Sequence, residues 1–266
     1  MKKQVKNGLI WGFVLVMLAV MYVPMIILIV YSFTDAKALG SWSGFSVALY
    51  ADLFTNAEIM GALKNSLVLA FVSAALATVL GTSAAIGIYY MRRGKTAANF
   101  IANITLENAE IVTGVAFMIF FLSVRMPYGW ATLIIAHTMI TAPYVILSVM
   151  PRLSQINPNL YEAGLDLGAS PLRSMLCVIV PQLVSGMIGG FVMAFALSLD
   201  DFIVSKFVNG GVETIPVYLY NALAKRGVNP TLRALSSVLF VAVLAVLVAV
   251  NAVGARRRKK AAKGVA

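Results

Sequence analysis

Long apolar runs alternate with short polar connections along this chain. Runs close to the ~20 apolar residues that cross a hydrocarbon core occur six times, at about 9–31, 63–90, 101–123, 130–150, 177–199 and 232–254. Small residues recur every fourth position in two of them. Ser73, Ala77, Gly81 and Ala85 share one face of the second run, and Gly186, Gly190, Ala194 and Ser198 share one face of the fifth. Such faces let helix backbones approach closely in lipid, where no hydrophobic effect pulls helices together. Packing accounts for both, and the fifth run is also placed to border a solute path that small residues keep open. Two connections carry amphipathic stretches, "VALYADLF" (47–54) and "IPVYLYNALAKRG" (215–227), each predicting a short surface helix. Pro216 suits the start of the second and Gly227 its stop. No internal repeat is visible, so an inverted-repeat transporter finds no support.

The composition agrees with this pattern. Of 266 residues 61% are hydrophobic and 12% charged, with a mean hydropathy of +0.90, which excludes an ordinary soluble domain. The expected fold is therefore all-α and integral to a membrane, with six transmembrane helices. The first run follows Lys2, Lys3 and Lys6 as a signal peptide would, but it continues through Pro24 to Phe33 with no small-residue cleavage site before a polar domain. It is expected to remain as an anchor span. Three regions follow: 1–62 as first helix and outer loop, 63–254 as the core transmembrane domain, and 255–266 as a basic tail.

A net charge of +11 would point to nucleic acid in a soluble protein. Sorted by the loops that six alternating spans create, however, the charges separate. One side holds Lys2, Lys3, Lys6, Arg92, Arg93, Lys95, Arg152, Arg173, Arg256, Arg257, Arg258, Lys259, Lys260 and Lys263, against only Glu162 and Asp166. The other holds Lys37, Lys64, Arg125, Lys206, Lys225, Arg226 and Arg233, nearly balanced by Asp35, Asp52, Glu58, Asp200, Asp201 and Glu213. By the positive-inside rule the first side is cytoplasmic, both termini included. The tail "RRRKKAAK" then reads as a stop-transfer flank on anionic lipid rather than an RNA-binding segment.

Enzyme chemistry is hard to place here. The single cysteine, Cys177, has no partner for a disulfide or a metal site. "GKT" at 94–96 resembles the end of a P-loop, but the required glycine five positions earlier is Tyr89. His137 lies inside the fourth run and reads as a hydrogen-bonded packing residue. No catalytic residues and no metal site are expected.

The cytoplasmic loop 151–177 is the most patterned segment. Pro158 marks a turn, Asn159 is placed to cap a helix with Glu162 reaching back, and Gly168 is a left-handed stop. Ser170 and Pro171 restart a helix that enters the membrane as the fifth span, and Pro181 is placed to kink it. A helix across a membrane face need do nothing. The spacing Glu162-Ala163-Gly164, three residues, Gly168, nine residues, Val178-Ile179-Val180-Pro181 nevertheless resembles the cytoplasmic signature of bacterial ABC-importer permeases, Glu-Ala-Ala, three residues, Gly, nine residues, Ile-x-Leu-Pro. It departs at Gly164, Val178 and Val180.

That resemblance implies a type I importer permease arrangement in a bacterial cytoplasmic (inner) membrane. It implies that the 159–168 helix docks into a separate ATPase and transmits its motion to the spans. The coupling residues would be Glu162, Ala163, Gly164, Leu165, Asp166, Gly168 and Pro181, with Leu165 and Leu167 supplying apolar contact. The implied partners are a homologous permease forming a heterodimer, two copies of a cytoplasmic ABC ATPase and an extracytoplasmic binding protein. ATP and Mg would be bound by the ATPase, with no cofactor in this chain.

Acids in or beside spans mark a path or a partner, because an ionised carboxylate there is costly. Glu107 and Glu110 stand near the start of the third run, and Asp200 and Asp201 at the expected outer end of the fifth. Carboxylates on a path favour a cationic solute; alternatively Asp200 and Asp201 cap the following helix or pair with Lys206. "SLDDFIVSKFVNG" (198–210), the segment 215–237, "EIVTGVAFMIFF" (110–121) and the first run ending "IILIVYSF" resemble the second permease subunit of spermidine/putrescine importers. That family usually has proline before the third-span acid, where Ala109 stands here. The resemblance implies a polyamine path through Glu110, Asp200 and Asp201. Competing readings are an ABC permease for another organic cation, an amino acid, thiamine or iron, an ion-coupled secondary transporter, and a structural membrane protein.

Overall fold

The computed structural model describes residues 2–36, 40–91, 93–226, 230–245 and 248, and among them it is helical throughout, without strands. The tail 255–266, Gly227 and, in the sixth predicted span, residues 246, 247 and 249–254 lie outside the described residues. In chain order the helices are α1 (Lys2–Tyr31), α2 (Ala48–Thr55), α3 (Ala57–Tyr90), α4 (Lys95–Glu107), α5 (Glu110–Ser123), α6 (Trp130–Leu153), α7 (Asn159–Asp166) and α8 (Pro171–Ser174). A π-turn at Met175–Ile179 joins α8 to α9 (Val180–Asp200), followed by α10 (Ile203–Val208), α11 (Ile215–Arg226) and α12 (Thr231–Ala245). Among the described residues four stretches are long and apolar enough to cross a membrane: Ile10–Tyr31, Ala57–Tyr90, Trp130–Leu153 and Pro171–Asp200. Helices α5, α11 and α12 are shorter apolar segments.

The predicted third span is not one helix. Asn108 and Ala109 are extended (φ −72°, ψ 138° and φ −62°, ψ 130°), and they divide it into α4 and α5. The polar residues Glu107, Asn108 and Glu110 cluster at this break and were the sign of it within an otherwise apolar run.

The chain forms two compact units. One comprises residues 1–60 and 219–266. Within it, Ser32 Oγ meets the Tyr50 hydroxyl at 2.6 Å, and Phe33 stacks on Phe45 with centroids 5.5 Å apart. Arg233 donates to the Ala36 carbonyl at 3.1 Å. The predicted helix at 47–54 is present as α2.

The other unit, residues 61–218, holds the patterned loop and the acids. Its axis is α6, and both small-residue faces pack against it. A Cβ at Gly81 would stand 2.7 Å from Val145 Cβ, and one at Gly190 would stand 3.0 Å from Val145 Cα. Val145 is therefore gripped between α3 and α9, and Ser148 donates to the Gly186 carbonyl at 2.8 Å. Ser73, Ala77, Ala85, Gly186, Gly190, Ala194 and Ser198 are all buried. These ridges are spent on close backbone contact, as small-xxx-small faces are in lipid. At the far end α10 is wedged between α5 and α6. Gly114 of α5 lies against the Phe207 ring, where a Cβ would come within 2.8 Å, and Thr132 of α6 donates to the Val208 carbonyl at 2.9 Å.

Candidate functional site: a surface helix and an acidic cavity

The patterned loop folds as local chemistry dictates. Gly168 has φ +83°, the left-handed stop that glycine takes without strain. Ser170 accepts from the Arg173 N–H and Pro171 occupies the first turn of α8. The start of α7 differs from the expected one: Asn159 is its first residue rather than its cap, the N-cap is Pro158, and no side chain caps the helix, so neither Asn159 nor a reach-back by Glu162 does so. In the turn before it the Asn157 side-chain oxygen accepts from the Asn159 N–H at 3.0 Å. Pro181 makes itself felt as the π-turn just before it, in which the Val180 N–H donates to the Met175 carbonyl.

Helix α7 has two faces. Leu160 and Tyr161 pack against the core shared by α3, α6 and α9, Tyr161 lies 5.7 Å from the Tyr90 ring, and Ser174 donates to the Tyr161 carbonyl at 3.0 Å. Glu162, Ala163, Asp166 and Leu167 face outward, with Leu167 90% exposed. Leu165 is half-buried.

Gly164, the departure from the signature's second alanine, is buried on α8. A Cβ there would overlap the Ser174 hydroxyl and stand 3.2 Å from its Cβ. Gly164→Ala is accordingly expected to destabilise the loop by about 1–3 kcal/mol, and Ser174→Ala in the same chain to recover most of that. Thermal unfolding of the purified chain in nanodiscs checks the pair; equal melting temperatures for all variants would show that the contact is slack.

At the other end of α9, about 30 Å away at 1.5 Å per residue over 21 residues, lies a cavity of about 380 Å³, within the range of small-molecule sites. It is lined by Glu110, Asp200 and Asp201 together with Asn108, Tyr144 and Phe202, among thirteen residues of which none is basic. All three predicted acids thus converge. They do so where two helices are interrupted, α4 to α5 at Asn108–Ala109 and α9 to α10 at Asp201–Phe202. Asp200 is the last residue of α9 and Asp201 its C-cap, at the end of the helix as expected, and Thr141, near the middle of the 24-residue α6, lines the same cavity. Helix α10 packs along α5 and α6 beyond the acids. Ala109 retains the torsion of a proline, φ −62°, so the break before Glu110 forms without one. Glu107 ends α4, with its side chain outside the described residues.

The two aspartates have different surroundings. Asp200 is exposed at the end of α9. Asp201 accepts from the Val204 and Ser205 N–H groups at 3.4 and 2.8 Å, capping α10. Beside it, His137 is fully buried. Its Nδ1 lies 2.7 Å from Ser198 Oγ and its Nε2 lies 2.9 Å from Ser205 Oγ. The sequence marked His137 as a bonded packing residue, which it is. Its connection to the acid cluster was not legible, although a serine on each side of the two aspartates, Ser198 on the small-residue ridge and Ser205 in α10, was a signal for it. Among the described residues no group of three or more metal-ligating side chains is present.

These features belong to a known class. The fold matches permease chains of ABC importers: a bacterial transporter for the acidic polysaccharide alginate at TM-score 0.72 and 13% identity, covering 96% of this chain and 97% of that one, and the methionine transporter at 0.61 and 20%, covering 74% and 97%. Residues 77–259 match the family described as binding-protein-dependent transport system inner membrane component, and this chain belongs to it. It is therefore a multi-pass membrane transport permease. Named relatives are the spermidine/putrescine permease PotC of Haemophilus influenzae, 35% identical over 89% of this chain and 93% of that protein, and the putrescine permease PotI of Escherichia coli K12, 31% identical over 88% and 86%.

Proposed function

We propose that this chain is the transmembrane permease subunit of an ATP-driven ABC importer for polyamines, spermidine or putrescine. The observation that carries the substrate class is the cavity in which Glu110, Asp200 and Asp201 converge without a basic residue. Two or more separated carboxylates in a site partly shielded from water attract a chain-like di- or trication and disfavour anions. The alginate transporter shares the fold alone and gives no guidance on cargo.

In this reading the chain crosses the cytoplasmic membrane six times with both termini inside, and the third crossing is interrupted at the cavity. The core transmembrane domain 63–254 carries the coupling loop 151–177. Glu162, Ala163, Gly164, Leu165, Asp166 and Gly168 form the coupling segment, and the outward face of α7 docks on a separate ATPase that binds ATP and Mg. Pro181, beyond the π-turn, belongs to the hinge between that segment and α9. A homologous permease completes the path, and an extracytoplasmic binding protein delivers the solute. Motion of α7 reaches the acids along α9, whose rigid packing on α6 turns a displacement at one end into a change at the other.

The test is uptake of labelled spermidine and putrescine by cells lacking their own polyamine importers, with this chain produced beside its neighbouring ATPase, permease and binding-protein genes. Uptake is expected, and it is expected to vanish with a hydrolysis-dead ATPase. An assembled complex that imports neither amine would overturn the substrate assignment, and uptake indifferent to the ATPase would overturn the coupling.

A further inference from the structure

The sole histidine of this chain sits at the junction of four helices in a row of hydroxyls whose hydrogen directions can be worked out. Ser73 Oγ on α3 lies 2.6 Å from the Leu69 carbonyl, and a carbonyl cannot donate, so the Ser73 hydrogen points there. Ser73 Oγ, 3.0 Å from Ser198 Oγ, must then accept, and the Ser198 hydrogen points to Ser73. With its one hydrogen used, Ser198 accepts from His137, so Nδ1 carries a proton. In a neutral ring Nε2 is then bare and accepts the Ser205 hydroxyl.

Ser205 therefore serves both neighbours. Its hydroxyl donates to His137 while its backbone N–H donates to Asp201 Oδ2 at 2.8 Å. The His137 Nε2 and Asp201 Oδ2 atoms lie 3.5 Å apart, two acceptors held by the two donors of one residue. The corner between α9 and α10, where Asp200 and Asp201 meet the cavity, is thus fastened to α6 and, through Ser198, to α3.

We propose that His137 is a positioning residue for solute binding: through Ser205 and Ser198 it fixes the corner between α9 and α10 and thereby the placement of the Asp200 and Asp201 carboxylates. This deepens the transport reading and rests on it for its kinetic consequence. The geometric part stands by itself. A loose corner lets both carboxylates wander and weakens attraction to a cation that needs them at fixed spacing.

Two measurements test it. The first needs no transport. Full-length chain, [15N]histidine-labelled and purified with a histidine-free tag into nanodiscs, gives a single imidazole. Its nitrogen shifts are expected to report a protonated Nδ1 and a bare Nε2, with Ser205→Ala moving only the Nε2 resonance and Ser198→Ala only the Nδ1 resonance. A proton on Nε2, or insensitivity to both variants, overturns the arrangement.

The second is the concentration dependence of spermidine uptake by the complex. His137→Asn, whose amide can reach Ser198 but not Ser205, is expected to raise KM about tenfold with maximal rate little changed. His137→Gln, whose longer amide can reach Ser205, is expected to keep KM near that of the parent. In an Asp201→Asn background His137→Asn should add nothing further. Equal loss with both substitutions, a fall in maximal rate alone, or additivity with Asp201→Asn overturns the positioning role. Absence of uptake by the unsubstituted complex would instead overturn the polyamine reading, leaving the resonance result to judge the corner.

Discussion

A Glu162→Arg variant that inserts and pairs with a second permease as before is expected to lose ATP-driven uptake at least about a hundredfold under the proposed coupling. Glu162 faces outward in the first turn of α7. Reversing its charge costs the helix itself only about 0.3–1 kcal/mol through the dipole. The fold of the loop rests on the opposite face, on Leu160 and Tyr161 against the core and on the Ser174 bond to the Tyr161 carbonyl, and none of these is touched. A loss of transport therefore reports on what docks against the exposed face. Uptake in right-side-out vesicles, with membrane quantity and permease pairing measured on the same preparation, gives the answer. Full uptake in this variant would remove α7 from the coupling route.

The second large effect concerns the cavity. Asp200→Asn is expected to raise the half-saturating concentration of a diamine about tenfold, and Asp200→Asn with Glu110→Gln about a hundredfold, with a smaller effect on a monoamine of equal length. A carboxylate near a cation at an effective dielectric of about 20 contributes up to ~4 kcal/mol at 4 Å, and a factor of ten needs only about 1.4 kcal/mol. Asp201→Asn should act differently. Its carboxylate holds the α10 N–H groups, so neutralising it loosens the corner and lowers the yield of folded protein as well, in line with the ~0.5–2 kcal/mol of a lost helix cap. Uptake curves for the mono- and diamine decide this; unchanged curves in the double variant would place the solute path elsewhere.

What was legible in the sequence follows the range of the forces involved. Gly168, Ser170 and Pro171 act on the backbone within a turn of themselves, and each does what its chemistry dictates. The ridges on α3 and α9 were visible because small residues at a period of four have few other uses in lipid. The interruption at Asn108–Ala109 was signalled by the polar cluster Glu107, Asn108 and Glu110, which averaging over the longer apolar run on both sides concealed. The convergence of Glu110 with Asp200 and Asp201 was illegible for another reason. It depends on α10 packing along α5 and α6, which rests on Gly114 accepting the Phe207 ring, a contact between residues far apart in the chain. The start of α7 at Asn159, the residue expected to be its cap, shows the usual uncertainty of a residue or two at a helix start.

The π-turn at Met175–Ile179 also fixes a screw angle. An α-helix advances about 100° per residue, so one surplus residue accommodated in a wider turn rotates everything beyond it by roughly that amount relative to an unbroken helix. The face that α9 turns toward Val145, and the heading of the acids at its far end, are thereby keyed to a phase offset stored beside the surface helix. Passing the surplus residue one turn up or down would twist the intervening segment while exchanging only one or two backbone hydrogen bonds, a rotary adjustment available to a rod that is too tightly gripped to slide.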